Sequence, residues 1–155
     1  MSHEHILVDG YSMLHQWAEL KPARLRSLAT GRQALILLLT HFHDSHGGEL
    51  TVVFDGRSLP RGGEGVKTNI HVLYSRKDET ADAVIERMVG QSQRPHDFLV
   101  ATDDHAEQNV VEAFGARTLS ADGFHAMIEA ELKDSKEILK QLSFSNRHFS
   151  RSQRL

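Results

Sequence analysis

Short β-rich runs alternate with longer segments whose apolar residues recur at helical spacing, and this alternation limits the chain to very few folds. The runs are His5-Ile6-Leu7-Val8-Asp9, Leu50-Thr51-Val52-Val53-Phe54-Asp55, Asn69-Ile70-His71-Val72-Leu73-Tyr74, Phe98-Leu99-Val100-Ala101-Thr102 and a weaker Ala116-Arg117-Thr118-Leu119. Several are apolar on successive residues, as strands covered on both faces tend to be. Strand–helix alternation of this kind predicts an α/β fold: a mostly parallel sheet of about five strands with helices on both faces.

The helical segments carry their own punctuation. One is expected to open at Thr30, which stands three residues before Gln33 in capping-box spacing, and to stop at Gly47-Gly48. Leu35, Ile36, Leu38, Leu39 and Phe42 form its apolar stripe. A second is expected from Asp78, a third from about Asp104 to Phe114 before Gly115, and a fourth from Ser120 or Asp122. Ser58 to Gly65 reads as a mobile loop, because its glycines and proline resist both regular structures. Residues 1–143 read as one domain; 144–155 form a polar tail with Arg147, Arg151 and Arg154 and no acid, expected to fray.

Composition removes several functions. There is no cysteine, which excludes a disulfide scaffold and a thiol nucleophile. The longest apolar run, Ala34 to Leu39, is too short to span a bilayer, and Met1-Ser2-His3-Glu4-His5 lacks the order of a signal peptide. A cytoplasmic protein with no membrane partner is expected. The net charge of −3 argues against a general nucleic-acid coating protein but leaves room for a local basic patch.

In folds of this kind ligands gather beyond the carboxyl ends of the strands. Strand one ends at Asp9, strand two at Asp55, and strand four runs into Thr102-Asp103-Asp104. The third passes through Arg76-Lys77 into Asp78-Glu79-Thr80-Ala81-Asp82. All these acids belong on one edge, a pattern suited to hard divalent cations, Mg²⁺ or Mn²⁺. Asp78, Glu79 and Asp104 also have a purely structural reading as helix caps or first-turn acids. Asp9 and Asp55 do not, since an acid after apolar strand residues and before Gly is not needed for folding. Glu86, a turn beyond Asp82, reads as solvated.

The motifs at these strand ends are similar to those of a known family. Ile6-Leu7-Val8-Asp9-Gly10-Tyr11-Ser12-Met13-Leu14 resembles the apolar strand followed by Asp-Gly-Tyr-Asn that opens NYN-domain nucleases. Glu79-Thr80-Ala81-Asp82 resembles the Glu-Thr-Ala-Asp segment of the YacP-like branch, and Ala101-Thr102-Asp103-Asp104 with Glu107-Gln108 its Ala-Thr-Ser-Asp strand end. Val52-Val53-Phe54-Asp55-Gly56 resembles the second acidic strand end of related 5′ nucleases.

The resemblance implies a PIN-like, three-layer α/β/α sandwich and a metal-dependent ribonuclease, with endonucleolytic cleavage expected. Carried over by position, Asp9, Asp82 and Asp104 would bind the metal, with Asp55, Glu79 and Asp103 as supporting acids. Ser12 stands where the motif has Asn and would position substrate or water. Arg57, Arg61, Arg76 and Lys77 flank the acidic edge and are the candidate phosphate contacts. The rival expectation is a non-catalytic RNA-binding or ribosome-associated module of the same fold. A phosphatase with Asp9 as nucleophile is disfavoured, because Tyr11 stands where such enzymes place a second acid.

The histidines point elsewhere. His41 and His43 would face nearly opposite sides of a helix and read as C-terminal dipole partners, and His5 as a solvated strand end. The 62–65 glycines lack a Gly-Lys-Ser/Thr ending, which disfavours a phosphate loop.

Overall fold

The computed structural model describes residues 4–56 and 68–134. The loop predicted at 58–65, Arg57 and Arg61, and the domain boundary and tail at 143–155 lie outside the described residues. Five parallel strands form one sheet: β1 (His5–Asp9), β2 (Glu49–Phe54), β3 (His71–Tyr74), β4 (Phe98–Ala101) and β5 (Arg117–Leu119), in the order β3-β2-β1-β4-β5. The connections carry α1 (Gly10–Gln16), α2 (Lys21–Arg26), α3 (Leu28–His46), α4 (Ala81–Gln91) and α5 (His105–Ala113). A last helix, α6, covers 121–134.

Residue alternation along the strands builds the two sides of the sheet. Ile6, Val8, Leu50, Val52, Phe54, Leu99 and Ala101 pack against Leu14, Leu35, Ile36, Leu39, Phe42, Phe124 and Ile128 of α1, α3 and α6. Leu7, Val53, Phe98 and Val100 pack on Ala81, Val84, Ile85, Val89 and Val111 of α4 and α5. The three-layer sandwich follows, because the central strands β1 and β4, and most of β2, are buried on both faces. Asp9 shares the parity of Leu7, so its side chain leaves the strand on the α4/α5 side.

Several boundaries differ from the expectation. The helix expected at Thr30 begins at Leu28, because Ser27 takes the cap and accepts the Thr30 N–H at 3.0 Å. The helix expected at Asp78 begins at Ala81, because the Thr80 hydroxyl accepts the Ala83 N–H at 3.1 Å. Asp78 and Glu79 therefore precede the helix. The third helix keeps its expected place, with Asp104 as its N-cap and Gly115 beyond its end at φ +108°.

Histidines at the opposite edge are more engaged than a solvated end would be. His5 Nε2 lies 2.8 Å from the Thr51 hydroxyl, and Nδ1 lies 3.3 Å from Glu49. Burial pushes the His5 imidazole below its ordinary range. His43 bonds the Gly48 carbonyl at 2.9 Å, and His46 pairs with Glu4 at 3.4 Å.

Candidate active site

The strand order reverses at β1. The chain steps outward from β1 through β2 to β3, then returns to place β4 on the other side of β1. Connections leave β1 and β4 in opposite directions, which opens a crevice between their carboxyl ends. Asp9 and Thr102-Asp103-Asp104 stand at that point.

Asp9 is 8 % exposed and occupies the N-cap position of α1, yet its side chain makes no capping bond. Its carboxylate is held by two hydroxyls instead. Ser12 Oγ donates to Asp9 Oδ2 at 2.8 Å, and the buried Thr102 Oγ1 donates to the same oxygen at 3.1 Å. Thr102 Oγ1 in turn accepts the Asp104 N–H at 3.2 Å.

Asp82 lies in the first turn of α4, where Thr80 already supplies the cap. Burial, then the nearby carboxyls of Asp9, Asp104 and Glu86, push Asp82 up to about 7. Asp104 does two things. Its Oδ1 accepts the Ala106 and Glu107 N–H groups at 2.9 and 3.2 Å, and its carboxyl also stands against that of Asp82. The structural and chemical readings of Asp104 are compatible, because capping engages only one oxygen.

Glu107 was not singled out as a site residue in the sequence. It is 2 % exposed; its carboxyl meets that of Glu86, and no N–H or hydroxyl donor among the described residues reaches it. Burial, then Glu86, Asp82 and Asp9, push it up to about 9. Glu86, expected to be solvated, is half-buried and belongs to this group. Asp82 and Glu86 share one face of α4 at i, i+4 spacing, so the acids extend a helical turn inward from the crevice.

The remaining candidates are placed differently. Asp103 is exposed; its Oδ1 accepts the Ala121 N–H at 2.8 Å and its own N–H donates to Ser12 Oγ at 3.2 Å, so it ties β4 to α6 and α1. Glu79 accepts from Arg87 Nη1 at 2.8 Å and from the Arg76 N–H at 3.2 Å, contacts that hold its carboxyl below the ordinary range. Asp55 follows β2 on the same edge, half-buried, and is not among the charges that move Asp82 or Glu107. Arg76 and Lys77 are exposed on the β3–α4 connection, on the same edge as the acids. Ser12 contacts Asp9 and the Asp103 backbone.

The chemistry of these donors fits a hard divalent cation. They are all carboxylates, two have pKa values raised by burial and mutual repulsion, and Glu107 is buried without a donor. Among the described residues no group of three acids or histidines is placed to hold a metal ion by itself. Mg²⁺ does not require one, since it usually keeps several waters and takes one or two carboxylates plus substrate phosphates.

Known proteins resemble this chain over most of its length. Bacillus subtilis (strain 168) YacP is 34 % identical over 119 residues, which span 75 % of this chain and 69 % of that protein. Crystal structures of Rae1 (YacP) from Bacillus subtilis superpose with TM-scores of 0.76 and 0.77 at 26 % and 24 % identity. The two superpositions cover 90 % and 94 % of this chain and 84 % of the other in each case. The YacP-like NYN domain family matches residues 6–155, and with its five-stranded parallel sheet and acidic crevice the chain belongs to that family.

Proposed function

We propose that this protein is a divalent-metal-dependent ribonuclease that hydrolyses RNA phosphodiesters. The observation that carries the reading is the convergence of Asp9, Asp82 and Asp104 at the strand-order reversal, backed by a buried Glu107 whose carboxyl meets another carboxyl, that of Glu86, and no described N–H or hydroxyl. Such a group is costly to keep in a fold unless a cation or proton compensates it.

Asp9, Asp82 and Asp104 would hold Mg²⁺ or Mn²⁺. When bound, the cation supplies a Lewis acid that activates water and neutralises charge on the phosphodiester. The remaining work falls to the chain itself. Thr102 and Ser12 keep Asp9 in place, Asp104 fixes the start of α5, and Arg76 and Lys77 take phosphates along the edge, with Arg57 and Arg61 proposed from the sequence as further phosphate contacts. The reading has internal cleavage of RNA in the cytoplasm. No described helix is long and apolar enough to cross a membrane.

The test is cleavage of structured and unstructured RNA with Mg²⁺, Mn²⁺ or chelator. Cleavage that needs the metal and disappears in Asp9→Asn is expected, as is a metal-dependent rise in melting temperature that Asp9→Asn largely removes. RNA binding with no metal-dependent cleavage across several RNAs would assign the alternative, a non-catalytic RNA-binding or ribosome-associated module.

A further inference from the structure

Ser12 is the place where this chain departs from the Asp-Gly-Tyr-Asn pattern, and its hydroxyl joins two segments of the site. It donates to Asp9 Oδ2 at 2.8 Å and accepts the Asp103 N–H, 91 residues away, at 3.2 Å. A serine in the first turn of a helix commonly bonds a neighbour three residues back. The second bond is not local, and it reaches the connection that carries Asp104.

The two hydroxyls on Asp9 converge on one oxygen. Ser12 and Thr102 both donate to Oδ2 and lie 3.5 Å from each other, while no described residue donates to Oδ1. A carboxylate pinned by one oxygen has its rotamer set and its other oxygen left to a ligand. Asp103 extends the bracing: the group whose N–H meets Ser12 uses its carboxylate to accept the Ala121 N–H at the start of α6.

We infer that Ser12 is a positioning residue, whose hydroxyl sets the Asp9 carboxylate and its separation from Asp104 by bonding Asp9 and the Asp103 backbone together. This rests on the proposed metal-dependent activity. The single serine oxygen carries both bonds: it donates to the carboxylate and accepts the amide.

The test compares Ser12→Ala and Ser12→Thr with the unmodified full chain, using Mn²⁺ as the probe. Residues that orient metal ligands typically cost 10–100-fold in affinity when removed. Ser12→Ala should thus raise the Mn²⁺ dissociation constant, measured by calorimetry, by about tenfold or more. The Mn²⁺ concentration for half-maximal cleavage should rise in step, with the melting temperature in chelator and the affinity for RNA at saturating Mn²⁺ unchanged. Ser12→Thr, which keeps the hydroxyl, should restore Mn²⁺ affinity to within about threefold of the unmodified chain.

Unchanged Mn²⁺ affinity in Ser12→Ala would overturn the inference and leave the ribonuclease reading standing. So would a Ser12→Ala protein that fails to fold or melts early in chelator, because the serine would then be structural. Failure of Ser12→Thr to restore affinity would also overturn it. Absence of Mn²⁺ binding by the unmodified chain would overturn the functional reading and this inference together.

Discussion

Glu107 sits where a helix packed on a sheet normally places an aliphatic side chain. Glu107 and Val111 are the buried residues of α5, one turn apart on the stripe that faces the sheet. That is the sequence signal by which it could have been found: an acid in phase with the apolar stripe of its own helix. Asp9 was legible for a related reason, since an acid closing an apolar strand has no folding role to explain it. Asp104 was ambiguous because the same residue type caps helices and binds metals, and here it does the first while standing against Asp82. A buried polar group without a partner costs about 1–3 kcal/mol, more when charged. A carboxyl pushed up to about 9 must be held protonated near neutral pH, and Glu107→Gln removes that cost while offering an amide donor to the neighbouring Glu86 and Asp82. In chelator the variant should therefore be more stable than the unmodified chain by about 1–3 kcal/mol, seen as a melting temperature several degrees higher. With Mn²⁺ added it should gain less than the unmodified chain does, because the carboxyl that a nearby cation would let ionise is gone. Equal melting of the two proteins in chelator would mean that Glu107 is already compensated.

The connection from β1 to α1 shows why element order was easier to read than element ends. Apolar runs and helical periodicity are spread over many residues, so the order of strands and major helices follows from the pattern. Ends depend on single hydrogen bonds. Ser27 outcompetes Thr30 for the start of α3, and Thr80 moves the start of α4 past Asp78 and Glu79. Glu79, left outside the helix, bonds Arg87 and the Arg76 N–H. Gly10 follows Asp9 with no intervening loop, and α1 begins there. A Cβ on Gly10 would lie 2.3 Å from the Phe54 ring, which is fully buried against Tyr11 and Tyr74 and has nowhere to move. Gly56 marks a similar approach at the end of β2, where a Cβ would fall 1.5 Å from the Ser75 carbonyl oxygen. Gly10→Ala should thus destabilise the protein by about 1–3 kcal/mol through overpacking, read as a lower urea midpoint at unchanged slope. Because the displaced backbone is that of Asp9 and its helix, the surviving folded protein should also bind Mn²⁺ more weakly. Loss of stability with full Mn²⁺ affinity would show that the clash is absorbed on the Phe54 side alone.

The whole molecule must attract a polyanion with a net charge of −3 and a cluster of acids at its proposed catalytic edge. Long-range attraction cannot come from overall charge, so binding has to rest on local cations and on neutralisation of the acids by metal. Among the described residues, Arg76 and Lys77 are exposed cations on the connection that leads from β3 to Asp82. They fit phosphate contacts that position RNA without reading its sequence. Replacing both by Ala should weaken RNA binding to a similar degree for unrelated sequences. It should also lower the slope of log affinity against log salt by about 1–1.5, the contribution of roughly two single-stranded phosphate contacts. Turnover at saturating RNA and metal should stay close to that of the unmodified chain, because these residues bind ground state and transition state alike. Asp104→Asn should do the reverse. Asn caps helices about as well as Asp, so folding and RNA affinity should persist while metal-dependent cleavage is lost. The two variants together separate holding RNA from cutting it. If removing Arg76 and Lys77 left the salt slope unchanged and slowed saturated turnover instead, the cations would belong to the chemical step and the acidic edge would need another means of holding phosphate.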